Sequence, residues 1–190
     1  MRPPLVLTIA GSEADGAAGV QADLKTFTAL GSYGASALTM VVSVNPQGVR
    51  GVHPLPPEVV RSQIDAVADE LLLDGTKIGS LGSAAVVAEV VAALRARRDR
   101  FGTVVLDPVM VAADGTALIS AEGATAIERD LLPLVDVLVL TMVEAAQLLR
   151  RALATTIEEM REQALALAAK GPGSVLITGG ALPGEDVVDL

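Results

Sequence analysis

The sequence contains no cysteine and no tryptophan, and aromatic residues make up only 2% of its 190 positions. The absence of cysteine excludes disulfide bonds and thiolate metal sites. The single histidine, His53, excludes a metal site built from several histidines. With so few aromatic rings, the core must consist of alanine, valine, leucine and isoleucine, which is typical of a buried parallel sheet covered by helices.

Basic patches and long apolar runs are also missing. The net charge is −9, whereas nucleic-acid binding requires a positively charged surface, so we expect no nucleic-acid partner. No apolar run approaches the ~20 residues of a membrane-spanning helix, and the first residues lack the layout of a signal peptide. We therefore expect a soluble, cytoplasmic protein without a membrane partner.

Predicted strands and helices alternate along the chain. The predicted strands are Leu5–Ala10, Ala35–Val44, Thr76–Gly79, Thr103–Asp107, Asp136–Thr141 and Ser174–Thr178. The predicted helices are Gly19–Leu30, Pro56–Leu73, Ser83–Arg98, Ser120–Leu132, Val143–Arg151 and Met160–Lys170, the last preceded by a capping box of Thr156 and Glu159. This alternation predicts a three-layer α/β/α fold with a mostly parallel sheet and right-handed crossovers. We expect one domain over residues 1–190.

The unusual loops all follow predicted strands. They are Gly11–Gly19, Asn45–Gly48, Ser80–Gly82, Asp107–Gly115, Thr141–Glu144 and Thr178–Gly180. Because parallel strands end at the same edge of their sheet, we expect these loops to converge on one rim. Ligands of such sheets bind beyond the carboxyl ends of the strands.

The segment from Thr8 to Thr26 is the most informative part of the chain. A predicted strand leads into a loop with Gly11, Gly16 and Gly19, and a predicted helix follows at once. Small residues allow a ligand to approach the backbone, and a helix N-terminus offers free N–H groups. The segment therefore predicts a site for a small polar molecule, although a tight turn without a ligand would have the same pattern.

Several motifs together resemble the hydroxymethylpyrimidine/phosphomethylpyrimidine kinases of thiamine biosynthesis, within the ribokinase-like superfamily. The resemblance runs from about Leu5 to Leu190. The segments that carry it are Thr8–Gly11, Gly19–Thr26, Gly48 with His53–Pro56, Lys77–Gly79, Asp107–Met110, Glu144–Ala146, Val175–Leu176 and Gly179–Gly180. Pyridoxal kinases share this fold but match the Gly19–Lys25 stretch less well.

The resemblance implies an ATP-dependent kinase that uses Mg²⁺ and phosphorylates hydroxymethylpyrimidine and then its monophosphate. The residues at the pyrimidine would be Gly11, Asp23 and Val44. The residues beside the nucleotide would be Thr178, Gly179 and Gly180. The residues at Mg²⁺ and the phosphates would be Asp107 and Glu144. Family members are commonly oligomers, so a homodimer is expected.

The sequence departs from the family pattern at several polar positions. In the family, a glutamine reads the pyrimidine edge, and Val44 stands in its place here. Thr141 replaces the asparagine of the family's Asn-x-x-Glu motif, in which Glu144 is retained, and Thr178 replaces the lysine before Gly-Gly. The further replacements are Ser80 for a methionine, Ala113–Thr116 for Lys-Ser-Gly-Asp and Ala181 for a histidine. A Gly-Thr-Gly-Cys or Gly-Thr-Gly-Asp anion-hole loop is not found in the 190 residues, so the catalytic residue is left unassigned and the chain is expected to be C-terminally incomplete relative to the family.

These departures leave other functions open. The chain could be a non-catalytic or truncated homologue that keeps the scaffold and a weak small-molecule pocket, a kinase of the pyridoxal type, or an interaction module. The interaction module is suggested by Asp186–Leu190, which is interpreted as the start of a strand with an open edge.

Single residues also have simpler interpretations. Asp23 and Glu144 could be carboxylates at the starts of helices, and Asp107 could begin a turn before Pro108. Lys77, within a predicted strand, needs a partner and is interpreted as a member of a structural ion pair. His53 is predicted to lie in a surface loop.

Overall fold

The computed structural model describes residues 2–112, 115–180, 182 and 187–190. The strands are β1 (Leu5–Glu13), β2 (Tyr33–Asn45), β3 (Gly48–Pro54), β4 (Gly75–Ile78), β5 (Thr103–Leu106), β6 (Val137–Thr141) and β7 (Ser174–Thr178). The helices are α1 (Gly19–Ala29), α2 (Pro57–Glu70), α3 (Ala84–Ala96), α4 (Ala121–Ala126), α5 (Met142–Leu149) and α6 (Ile157–Ala168). All seven strands form one sheet in the order β3-β2-β1-β4-β5-β6-β7.

Six of the seven strands are parallel, and helices cover both faces of the sheet. Side chains alternate between the faces of β1. Leu7 joins the main core with Val60 of α2, whereas the hydroxyl of Thr8 bonds to Asp23 of α1. The predicted three-layer α/β fold with a mostly parallel sheet is therefore confirmed.

The expectation of strict strand–helix alternation was wrong at β3. This strand pairs with β2 in antiparallel register, and His53 lies opposite Val41 at the sheet edge rather than in a loop. The sequence Gly48–Pro54 has few residues that favour strands. Its pairing with the long apolar β2 supplies the backbone hydrogen bonds, and an edge strand tolerates the proline at its end.

Other element boundaries differ from the predictions for local reasons. β1 continues through Gly11 to Glu13, because a register irregularity against β2 lets the pairing resume at Ser12. The predicted helix to Leu132 is α-helical only to Ala126 and continues as a wide π-helical turn. In the predicted capping box, Thr156 accepts from the Glu159 N–H as expected, but the Glu159 carboxylate bonds to the N–H and hydroxyl of Thr155.

The last described residues lie against β7. Ile177 and Leu190 exchange two backbone hydrogen bonds, with N···O distances of 2.8 and 3.0 Å. Leu190 also packs on the main core. Within the predicted strand at 186–190, the structure shows that Leu190 pairs with β7. Asp186 lies outside the described residues. Among the described residues, no helix combines the length and apolarity needed to cross a bilayer.

The turn from β1 to α1 brings two backbone segments into close contact. Gly19 is the first residue of α1 and has a φ of +61°. A Cβ at this position would overlap the carbonyl oxygen of Gly11. The loop can close only when residue 19 lacks a side chain, and this closure sets the direction in which α1 leaves the rim of the sheet.

We predict that Gly19→Ala lowers the free energy of unfolding by about 2–5 kcal/mol, because left-handed backbone and the overlap with Gly11 both oppose it. Gly31→Ala is the matched control: its φ is +75°, but a Cβ there meets nothing within 4 Å. The control should cost about 1–2 kcal/mol. Urea denaturation of both variants measures the difference, and equal losses would contradict the proposed overlap.

Candidate active site

A cavity of about 460 Å³ opens at the carboxyl ends of β1 and β2. Its lining comes from three segments. They are residues 13–18 at the end of β1 and in the loop after it, residues 42–49 around the β2–β3 turn, and residues 109–112 with Leu118 after β5. Three of the predicted loops therefore converge, as the parallel topology requires. The walls are largely apolar, with valines from both sides, and this suits a flat ring of modest size.

Side chains of α1 hold the loop after β1 in place. The Gln21 amide accepts a hydrogen bond from the N–H of Glu13 at 2.9 Å and donates to the Ser12 hydroxyl at 2.8 Å. One turn further, the Lys25 ammonium donates to the carbonyl of Gly16 at 2.8 Å. The loop that borders the cavity is thus fixed by the helix it leads into.

Lys77 and two carboxylates form a charged cluster that joins α1, β4 and the end of β5. The Lys77 ammonium on β4 lies 3.3 Å from Asp23 and 3.6 Å from Asp107. The Thr8 hydroxyl donates to the same Asp23 oxygen at 2.6 Å. Gly79 leaves room for the ammonium, since a Cβ there would lie 3.1 Å from it. The predicted ion pair of Lys77 is confirmed, and it links the predicted pyrimidine-side carboxylate to the predicted metal-side carboxylate.

Two carboxyl groups in this region have raised pKa values. Burial raises the pKa of Asp107 most strongly, and the neighbouring charges of Glu144 and Asp23 raise it further, while Lys77 opposes the shift. Burial also raises the pKa of Glu13, helped by the charge of Asp15 and again opposed by Lys77. Lys77 is therefore the cation that opposes protonation of both Asp107 and Glu13.

Glu144 has a structural role at the start of α5, in addition to the metal-binding role that the resemblance implies. It is 7% exposed, and its Oε2 accepts hydrogen bonds from the N–H and the hydroxyl of Thr141, both at 2.8 Å. Thr141 accepts in return from the Glu144 N–H, which completes a capping box at the start of α5. Only Oε2 is used in these bonds, so Oε1 is left for another partner.

The carboxylates of Asp107 and Glu144 fit the requirements of Mg²⁺. This ion is commonly held by one or two carboxylates together with substrate phosphates and water, rather than by a complete protein cage. The charge of Glu144 acts on Asp107, so the two groups share one region. In the described part of the chain, no cluster of three or more potential protein ligands for a metal ion occurs.

The remaining predicted site residues lie in two places. Val44 lines the cavity, and Gly11 packs against Met40, whose Cγ would lie 3.1 Å from a Cβ at Gly11. Thr178 ends β7, two strands beyond β5 in the sheet, and Gly179 and Gly180 follow it. These three residues do not border the cavity. Ala113, Asp114 and Ala181 lie outside the described residues.

Several cavity and loop residues were missed by the sequence analysis. Glu13 and Asp15 line the cavity, and Gln21 fixes the end of β1. Their signal was present, because acidic residues within a small-residue loop at a strand end are available to a ligand. The pattern could not distinguish them from solvated loop residues, since the distinction depends on the hairpin β2–β3 that closes the cavity.

Comparison with known proteins identifies a family. The model of the phosphomethylpyrimidine kinase family matches residues 13–190. The chain is 42% identical over 187 residues to a hydroxymethylpyrimidine/phosphomethylpyrimidine kinase of Rhizobium meliloti, covering 98% of the chain and 69% of the relative. The corresponding enzyme of Escherichia coli is 43% identical over 183 residues, covering 96% and 68%. The chain thus spans about two thirds of the length of these relatives.

Solved structures show the same relationship. A phosphomethylpyrimidine kinase from Clostridium difficile superposes with a TM-score of 0.88 at 32% identity, covering 98% of this chain and 80% of that one. A pyridoxal kinase from Staphylococcus aureus, in complex with AMP-PCP and pyridoxal, has a TM-score of 0.87 at 34% identity, covering 99% and 67%. Both similarities extend over nearly all of the present chain.

We predict that Lys77→Met lowers the free energy of unfolding by about 1–3 kcal/mol near pH 8, because Asp23 and Asp107 lose their shared cation while still partly desolvated. The pKa of Asp107, already raised, would rise further. Between the ordinary carboxyl pKa and this raised value, the folded state binds more protons than the unfolded state, so stability falls as pH rises. The deficit should therefore shrink near pH 4.

Urea denaturation at several pH values measures this dependence. The matched control is Lys25→Met, which removes an exposed ammonium bonded to a backbone carbonyl rather than to carboxylates. A Lys77→Met deficit that is equal at pH 4 and pH 8, or no larger than that of the control, would contradict the assigned role.

Proposed function

The chain belongs to the phosphomethylpyrimidine kinase family, and from this premise we propose that it carries the substrate site of an ATP-dependent kinase that phosphorylates hydroxymethylpyrimidine and its monophosphate in thiamine biosynthesis. The observation that carries the proposal is a ring-sized apolar cavity next to a row of acidic groups balanced by Lys77. The cavity suits the heterocycle, and the acidic groups suit a metal–phosphate complex.

The proposed reaction is a direct phosphoryl transfer. The oxygen of the substrate's hydroxymethyl group attacks the γ-phosphorus of ATP, a new O–P bond forms, and the bond to the β–γ bridging oxygen breaks so that ADP leaves. The hydroxyl proton passes to solvent water. We assign no residue of this chain as the base that accepts that proton.

Catalysis of this reaction depends mainly on positioning and charge neutralisation. Asp107 and Glu144 would hold Mg²⁺, whose charge would offset that of the phosphate oxygens. Lys77 keeps Asp23 and Asp107 in fixed positions relative to each other. On the nucleotide side, Thr178, Gly179 and Gly180 are proposed to border ATP, and no atom of the described residues lies within 4 Å of where a Cβ of residue 180 would stand.

The pyrimidine would lie between the loop after β1 and the β2–β3 turn. Gly11 and Asp23 are proposed to border the ring region, and Val44 would contact a ring face through its methyl groups. Valine offers no hydrogen bond, so polar recognition of the ring edge must come from other groups in the cavity. We propose the cytoplasm as the location of this activity and a homodimer as the assembly.

Pyridoxal is a second candidate substrate. The structural similarity to the pyridoxal kinase of Staphylococcus aureus is as high as that to the phosphomethylpyrimidine kinase of Clostridium difficile. The apolar Val44 also removes a polar group that would favour one heterocycle over another. A direct comparison of the two alcohols therefore belongs in the same experiment.

We expect the protein to form ADP and a phosphate ester from Mg-ATP and hydroxymethylpyrimidine, with pyridoxal a poorer substrate. Asp107→Asn should lower kcat by at least ~10²-fold, since a ligand of the metal–phosphate complex is weakened. Mass spectrometry of the ester and a coupled ADP assay measure both quantities.

The control variant is Asp99→Asn, which changes an exposed aspartate in the 3₁₀ turn before β5. This turn lies at the amino end of β5, whereas the candidate site lies at the carboxyl ends of the strands. It should leave kcat unchanged within about twofold. Absence of any phosphate ester from hydroxymethylpyrimidine at high protein concentration would overturn the kinase proposal, and faster turnover of pyridoxal would replace the substrate.

A further inference from the structure

Glu13 contributes a half-buried carboxylate to the cavity wall. It is the last residue of β1 and lines the cavity. Its backbone N–H is held by Gln21, and its Cγ lies near Gly19, 3.3 Å from where a Cβ would stand. Within the described part of the chain, no group donates a hydrogen bond to its carboxylate oxygens. The backbone and stem of Glu13 are therefore positioned, while its acceptors are left free.

The other polar side chains of the lining are already engaged or exposed. Asp15 accepts from the N–H of Ala17 at 3.1 Å, and Asn45 accepts from the N–H of Gln47 at 3.0 Å. These contacts close local turns. Glu13 is thus the half-buried side chain in the wall whose acceptors remain available to a bound ring.

The surroundings of Glu13 set the kind of group it can recognise. The neighbouring walls are formed by Val42, Val44, Val111 and Leu118, and no lysine or arginine occurs among the described residues of the lining. The Glu13 side chain is half-buried, so water solvates it incompletely, and burial raises the pKa of its carboxyl although the charge of Lys77 opposes the shift. A ligand N–H in this place would restore the lost hydrogen bonding, whereas a ligand carbonyl oxygen would repel the carboxylate.

We propose that Glu13 is a specificity-determining residue, whose carboxylate accepts a hydrogen bond from an amino group on the edge of the bound heterocycle and disfavours rings with an acceptor at that position. This inference rests on the proposed function for the identity of the ring, and it supplies the polar recognition that Val44 does not. The chemical class it selects is an amino-substituted heterocyclic alcohol.

The test compares two probes, 4-amino-5-hydroxymethylpyrimidine and its 4-oxo counterpart, by isothermal titration calorimetry. The unmodified protein should bind the amino compound about 10- to 100-fold more tightly, as expected for a charge-assisted hydrogen bond. Glu13→Gln should reduce this ratio at least about tenfold, partly because its amide can donate to the 4-oxo group. Tighter binding of the 4-oxo compound by the variant is a gain that a merely structural role of Glu13 would not produce.

Asp99→Asn is the matched control, because it also replaces one carboxylate by its amide but at an exposed residue in the turn before β5, away from the cavity. Its binding ratio should stay within about twofold of the unmodified protein. Glu13→Asp, which keeps the charge on a shorter stem, should retain part of the preference. An unchanged ratio in Glu13→Gln, an equal change in Asp99→Asn, or failure of the unmodified protein to bind either probe would each overturn the inference.

Calorimetry keeps this inference separate from the kinase proposal. If no phosphate ester forms but the amino preference depends on Glu13, the kinase proposal fails and the assignment of Glu13 stands. If the ester forms at equal rates from both probes in all variants, the kinase proposal stands and the assignment of Glu13 is overturned.

Discussion

The ammonium of Lys77, held between Asp23 and Asp107, is the interaction on which the arrangement of the site depends. It joins α1, β4 and the end of β5, three elements that are separate in the sequence. The side chains of Lys77 and Asp23 are 21% and 16% exposed, and Asp107 is 37% exposed. These three charged groups are therefore partly shielded from water, so the attraction between them contributes to the arrangement of the site, yet a ligand can still reach them.

The cavity adds an apolar surface to this charged row. Val44 and the β2–β3 turn form one wall, and the segment after β5 forms the other. Gln21 fixes the end of β1 and Lys25 fixes the loop after it, so this wall does not have to be assembled when a ligand binds. A rigid apolar space beside a region that can hold phosphates separates the binding of a ring from the chemistry at its hydroxyl group.

Glu144 shows how one residue can satisfy two interpretations from the sequence. A carboxylate at the start of a helix and a carboxylate near a metal site were alternatives, and the capping box with Thr141 establishes the first. Only one of its oxygens is used there, so the second interpretation stays compatible as a proposal. Local spacing was enough to predict the position of Glu144, but the direction of each oxygen depends on the packing of α5 against the sheet.

The architecture and the rim of the site follow from the amino-acid sequence. The apolar runs of β1 and β6 and the spacing of α1 and α6 follow local periodicity, and parallel strands necessarily bring their final residues to one edge. Three further features depend on tertiary contacts: Gly48–Pro54 pairs with β2 as a hairpin, Lys77 meets both Asp23 and Asp107, and Glu13 faces an apolar cavity. These features arise from contacts between residues far apart in the chain, which local preferences do not encode.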